Sequence, residues 1–210
     1  MRGIAVIGGE CPDAETLRKI ARAADVLVAA DSGLVACENA GLVPDWIVGD
    51  MDSLDDERRL EKYPADRILR SPVAKDFTDT ELALNLLKEQ GCGEVWLAGG
   101  GGGRIDHLLA IRSIFERDNP PEHWFPGGVE IRCLMEGGIF RATLAVGSIV
   151  SVFPLGDAPW QAESSSLKWQ LDGIGWDRGS AYISNIAVSP EVEIRAARGR
   201  FMVITPVSIG

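Results

Sequence analysis

Short runs of β-branched and aliphatic residues, "GIAVIGG", "DVLVAA", "WIVGD", "DRILRS", "EVWLAGG" and "VEIRCL", recur through the first part of the chain, with polar or amphipathic segments between them. No other feature constrains the fold as much. Parallel strands need a long crossover and are buried on both faces, so they read as continuous apolar runs rather than as alternating patterns. The alternation therefore predicts βαβ units and a mainly parallel sheet covered by helices. The clearest crossover helix is expected over 79–90. There Thr78 and Glu81 in "TDTE" have capping-box spacing, Leu82, Leu86 and Leu87 share a face, and Gly91 ends the helix.

From about residue 119 the texture changes. "DNPPEHWFPGG" reads as a Pro- and Gly-rich linker, and beyond it come short strands separated by turns: "IFRATL", "SIVSVFPL", "SLKWQL", "AYISNIAV", "VEIRAA" and "RFMVITPV". That pattern predicts a small antiparallel sandwich or barrel. A chain of 210 residues has room for both parts. The expected division is an α/β catalytic domain over residues 1–130 and an all-β domain over 131–210.

A net charge of −10 and a pI near 4.7 would repel a phosphate backbone, so no nucleic-acid partner is expected. Small anionic ligands stay open, because a divalent metal or a helix N-terminus offsets repulsion locally. The apolar runs are too short to cross a bilayer, and "MRGIAVIGGE" reads as a first strand rather than a leader, so a cytoplasmic protein without membrane contact is expected. Cys11, Cys37, Cys92 and Cys133 lack metal-site spacing and read as reduced thiols.

The candidate chemistry gathers where the strands end. In "IVGDMDSLDD", Asp50 and Asp52 follow the third strand; in near-extended backbone their carboxylates would face one side, a hard-oxygen pair suited to Mg²⁺ beside phosphates. The plainer reading makes Asp50 a turn residue and starts a helix at Ser53, with Asp55, Asp56 and Glu57 favouring its dipole. In "KDFTDTE", Asp79 is expected at the first helical position, while Lys75 and Asp76 lie in the loop after the fourth strand. Asp31 in "AADSGL" ends the second strand, either as a helix cap or as part of the same acidic edge. In open α/β sheets, ligands bind at the carboxyl ends of the strands.

"GGGGGRIDH", Gly99 to His107, follows the fifth strand. It lacks the ending of a P-loop and the spacing of a dinucleotide fingerprint, which disfavours nicotinamide chemistry. It is read as a cradle of backbone amides for phosphate, with Arg104 for a bidentate contact, Asp106 as a metal or hydroxyl partner, and His107 as a phosphate contact or a packed residue.

In order along the chain, "ADSG", "PDWIVGDMDS", "KDFTDTELAL" and "GGRIDH" resemble the motifs of the thiamine pyrophosphokinase family, and "SLKWQL" and "SNIA" resemble segments of its C-terminal domain. The chain departs from the usual motifs at Ser32 and Ser166, where the family has Gly, at Met51 in place of Phe, and at Ile111 where Asn is frequent. The resemblance implies a homodimer with a Rossmann-like domain followed by a β-sandwich, transferring diphosphate from ATP to the hydroxyl of thiamine and releasing AMP with the help of Mg²⁺. It implies Asp50, Asp52 and Asp79 as metal ligands, with Asp76 and Asp106 as further catalytic carboxylates. ATP would be bound by Asp31, Lys75, Thr78, Gly101, Gly102, Gly103, Arg104 and His107. Trp169, Ser184 and Asn185 would bind thiamine at the dimer interface, the indole stacking on the thiazolium ring; the plainer reading of Trp169 is a residue of the sandwich core. A pterin diphosphokinase family shares the G-D-x-D motif, so the acceptor stays open between thiamine and a hydroxymethylpterin. A nucleotide or thiamine sensor on the same fold is the non-catalytic alternative.

Overall fold

The structure is a computed structural model that describes residues 1–52, 54, 56–71 and 77–208. Ser53, Asp55, Lys75 and Asp76 lie outside the described residues. The chain forms two compact units: one comprises residues 1–112 and 124–128, the other 113–123 and 129–208.

In the first unit the elements run β1 (Arg2–Val6), α1 (Ala14–Ala21), β2 (Val26–Ala30), α2 (Gly33–Asn39), β3 (Trp46–Gly49), β4 (Ile68–Arg70), α3 (Asp79–Glu89), β5 (Glu94–Ala98), α4 (Ile105–Ile114) and β6 (His123–Phe125). The strand order is β6-β5-β1-β2-β3-β4, and β1 pairs in parallel with both β2 and β5, as β2 does with β3 and β3 with β4. Order reverses between β1 and β5, which opens a crevice at their carboxyl ends. Every residue of β2 is buried, as a strand covered on both faces requires. Helix α3 begins with the expected capping box, and Leu84, Leu86 and Leu87 go into the core; full burial of Leu87 alone contributes about 2 kcal/mol.

Three local expectations change. Leu54, next to the expected helix start, is not helical, and a 3₁₀ turn over Glu57–Lys62 begins later, with Asp56 as its cap accepting the Arg58 N–H. Part of the Pro-rich linker, His123–Phe125, is strand β6. Asp31 does not cap α2, whose N-cap is Ser32.

The second unit carries β7 (Val129–Leu134), β8 (Ile139–Thr143), β9 (Ile149–Leu155), β10 (Gln161–Ser165), β11 (Tyr182–Ile186), β12 (Glu191–Arg198) and β13 (Arg200–Pro206). These pair antiparallel in the orders β11-β9-β13-β7 and β10-β12-β8. Alternate residues of β12, Val192, Ile194 and Ala196, join Phe140, Val150, Val152, Phe201 and Val203 in one core drawn from both sets of strands. "SLKWQL" is not a strand; within it only Leu167 makes a bridge, to Ala187. The neighbouring strand is instead the polar "QAESS" of β10. No helix among the described residues is long and apolar enough to cross a membrane.

Candidate active site

Asp31, Asp50 and Asp79 converge at the carboxyl ends of β2 and β3 and the first turn of α3, each offering a carboxylate oxygen within 4.8 Å of the others. All three are half-buried. Asp31 has a positive φ of 46°, and one of its oxygens accepts the Met51 N–H at 3.1 Å, which ties the end of β2 to the turn after β3. Burial pushes the Asp31 carboxyl up to about 7, and a hydrogen bond with Asp79 and the charges of Asp79 and Asp50 act in the same direction against the Met51 N–H. The carboxylates stand this close because Gly49 lacks a side chain. A Cβ there would lie 2.1 Å from an Asp31 oxygen and 3.3 Å from one of Asp79, at a φ of 138°. Clustered hard oxygens of net negative charge fit a divalent cation such as Mg²⁺.

Asp52 is not in this cluster. It is exposed, and its N–H donates to Asp50 Oδ1 at 3.1 Å. The same-side expectation for the two residues assumed extended backbone, whereas Met51 between them has a φ of 67° and is buried. A turn replaces the extended pair, and Asp31 supplies the third carboxylate. The Thr78 hydroxyl accepts the Glu81 N–H and donates to its carboxylate, so it serves the start of α3.

The glycine loop is largely self-satisfied. The N–H groups of Gly99, Gly100 and Gly101 donate to the carbonyls of Phe125, Gly8 and Glu10. A Cβ on Gly99 would meet the Ile7 carbonyl at 2.2 Å, and one on Gly100 would meet Ile111 at 2.4 Å. Close packing therefore accounts for these glycines, and Gly102 and Gly103 are left as the exposed tip. Ile111, buried under the loop, fills with apolar surface the place where the related motif often has Asn. Arg104 and Asp106 are exposed and pair with each other, Nε to Oδ1 at 3.1 Å and Nη2 to Oδ2 at 2.5 Å. That pairing holds Asp106 down at about 2. His107 is exposed at the start of α4.

A cavity of about 510 Å³ has Ser32, the residue after Asp31, in its wall. Ser32, Val35, Ala36 and Asn39 line it from one face of α2, and Cys11 and Pro12 from the loop after β1. Sequence reasoning missed it; the signal was the i, i+3, i+4, i+7 spacing in "SGLVACEN".

In the second unit, Trp169 is 55% exposed, which excludes a core role, and the Lys168 ammonium stands over its ring at 4.5 Å. Ser184 is exposed with a φ of 60°, its N–H donating to Ser151 Oγ. Asn185 is buried. Its Oδ1 accepts the N–H groups of Trp169 and Ile186, and its Nδ2 donates to the Trp169 carbonyl at 2.6 Å.

Residues 17–119 match the family model for the thiamin pyrophosphokinase catalytic domain. A thiamine pyrophosphokinase of Bacillus subtilis (strain 168) is 36% identical over 85 residues, 39% of this chain and 39% of the relative. The aligned part thus spans about two fifths of that relative's length. Crystal structures of thiamin pyrophosphokinases cover nearly the whole chain. That from Geobacillus thermodenitrificans has a TM-score of 0.77 at 24% identity, over 99% of this chain and 98% of its own. That from Bacillus subtilis has 0.80 at 22%, over 99% and 100%. The Candida albicans enzyme has 0.73 at 15%, over 98% and 90%. At these identities the structures establish the fold, a large mostly parallel sheet with helices and a separate antiparallel sheet. By sequence, residues 17–119 of this chain are similar to the catalytic domain of thiamin pyrophosphokinases.

Proposed function

We propose that the protein is a thiamine pyrophosphokinase, transferring diphosphate from ATP to the hydroxyl of thiamine to give thiamine diphosphate and AMP. The observation that carries this reading is the convergence of Asp31, Asp50 and Asp79 inside the segment that matches the catalytic domain. In the reaction, the thiamine oxygen attacks the β-phosphorus of ATP, the bond from that phosphorus to the bridging α,β-oxygen breaks, and AMP leaves with the electron pair. Such transfers depend on positioning and charge neutralisation more than on covalent help from the protein.

The three carboxylates of Asp31, Asp50 and Asp79 are the donor set for Mg²⁺. When bound, the cation neutralises phosphate charge. Gly102, Gly103, Arg104, His107 and Lys75 are assigned to the phosphates, and Gly101 holds the loop in place through Glu10. Arg104 must exchange Asp106 for phosphate, a swap between exposed partners that costs little. The hydroxyl proton is assigned to Asp76 or to Asp106, whose carboxylate is released when Arg104 moves to the phosphate. The cavity along α2 receives the nucleoside, with the Asn39 amide facing the base. Trp169 and Ser184 contact thiamine from a β-sandwich over 131–210, which follows a Rossmann-like domain over 1–130. A cytoplasmic homodimer using ATP and thiamine, without nucleic-acid or membrane partners, completes the proposal.

The test is to incubate the protein with Mg-ATP and thiamine and to assay AMP and thiamine diphosphate together. Equimolar formation of both is expected. Absence of both refutes the function, and AMP formed with a hydroxymethylpterin but not with thiamine moves the acceptor to the pterin class.

A further inference from the structure

We infer that Asn185 is a positioning residue that acts through Trp169 and does not itself contact the acceptor. The inference rests on the proposed thiamine reading of this surface and reassigns one of its residues. The Asn185 side chain is 5% exposed, and both ends of its amide are committed to the backbone: Oδ1 to the N–H groups of Trp169 (3.1 Å) and Ile186 (2.9 Å), Nδ2 to the Trp169 carbonyl (2.6 Å). An amide used in this way has one Nδ2 hydrogen left and no exposed surface from which to offer it.

The two bonds to Trp169 lock both polar groups of one residue in a stretch that is not a strand. Its flanks are fastened as well, by Leu167 bridged to Ala187 and by Gln170 Nε2 donating to the Leu167 carbonyl. Leu167 and Leu171 are buried on either side while the indole between them stands out in solvent. Backbone strain sits at the same place: Ser166 and Ser184 have φ of 63° and 60°, a left-handed region unfavourable for residues with a side chain. A clamped, strained backbone presenting an exposed indole describes a preorganised ligand platform rather than a packing element. The chemistry it suits is visible on the ring itself, because the Lys168 ammonium occupies its face at 4.5 Å, where an organic cation would stack. Lys168 is a resident cation that such a ligand displaces.

The experiment is a double-mutant cycle on Trp169→Ala and Asn185→Ala, read as KM for thiamine and for ATP. Each single change is expected to raise the thiamine KM between about twofold and thirtyfold, with the ATP KM unchanged. The double variant is expected to match Trp169→Ala. A further rise on adding Asn185→Ala to Trp169→Ala means a direct contact and overturns the inference. A second readout needs no substrate: acrylamide quenching of the Trp169 emission, taken as the difference from Trp169→Phe, is expected to increase in Asn185→Ala. Unchanged quenching overturns the inference even if no acceptor is turned over, so its failure and that of the proposed activity are distinct. If Asn185→Ala does not fold, Asn185→Asp keeps the acceptor and removes the donor, and the same two readouts apply with the same expected and refuting results.

Discussion

Gly49→Ala tests the geometry of the acidic cluster most sharply, because it adds one methyl group and no charge. That methyl carbon would sit 2.1 Å from an Asp31 carboxylate oxygen and 2.8 Å from its carbon, far inside van der Waals contact. Asp31 must swing away and give up the Met51 N–H, a loss of about 1 kcal/mol. An alanine held at a φ of 138° adds about 1–3 kcal/mol of backbone strain. Together these predict destabilisation of about 2–4 kcal/mol, or a Tm lower by roughly 5–15 °C at about 2–4 °C per kcal/mol. Displacing one of three carboxylates should also weaken binding of Mg²⁺ or Mn²⁺, measured calorimetrically below the melting range. A variant with wild-type Tm and wild-type cation affinity would refute the claim that Gly49 makes room for the cluster.

Further outcomes follow from the same geometry. Asp50→Asn and Asp79→Asn should raise the Mg²⁺ concentration needed for half-maximal AMP formation more than Asp52→Asn does, since Asp52 lies outside the cluster; equal effects would return Asp52 to it. Chelation with EDTA should abolish turnover, and added Mg²⁺ should restore it. Ser166→Ala should be about 1 kcal/mol less stable in denaturant than Ser166→Gly, because both lose the hydroxyl contact with Ser189 but only glycine relieves the positive φ. At Glu130, burial raises the carboxyl, but hydrogen bonds from His123 and Arg132 outweigh it and leave the group below its ordinary value. A folded-state value below the unfolded one adds stability at neutral pH that is lost as pH falls through and below about 4.3, so Glu130→Gln should flatten the acid limb of a Tm–pH profile.

Much of the first unit could be read from sequence because its signals are local. Apolar runs, crossover lengths and the Thr78–Glu81 box each depend on neighbours within a few residues, and the parallel order follows from them. The acidic edge was legible as a set of strand ends, since parallel strands bring their carboxyl ends to one side. Which acids meet was not, because side-chain direction there depends on the sign of φ at Asp31, Gly49 and Met51, and hydrophobic periodicity carries no record of it. "SLKWQL" misled by its alternation: Leu167 and Leu171 are indeed buried, but Trp169 between them points out, so the spacing of two marks a clamped turn. Strand β10 escaped notice because "QAESS" is polar and buries only Ala162. The glycine run was recognised as a place of close approach, but what approaches Gly99 and Gly100 is the chain's own backbone and side chains.

The bond from Met51 to Asp31 has a consequence for how the sheet is aligned. Strands β2 and β3 pair Val28 with Trp46 and Ala30 with Val48, the Asp31 N–H donates to the Val48 carbonyl, and beyond that bond the Met51 N–H donates to the Asp31 carboxylate. A slip of one residue would move β3 by about 3.3 Å, break that contact and carry Asp50 away from its partners. The turn after β3 therefore works as a registration pin: the misaligned sheet has no assembled cluster, and a cation bound to the three carboxylates would select the correct strand alignment out of its alternatives.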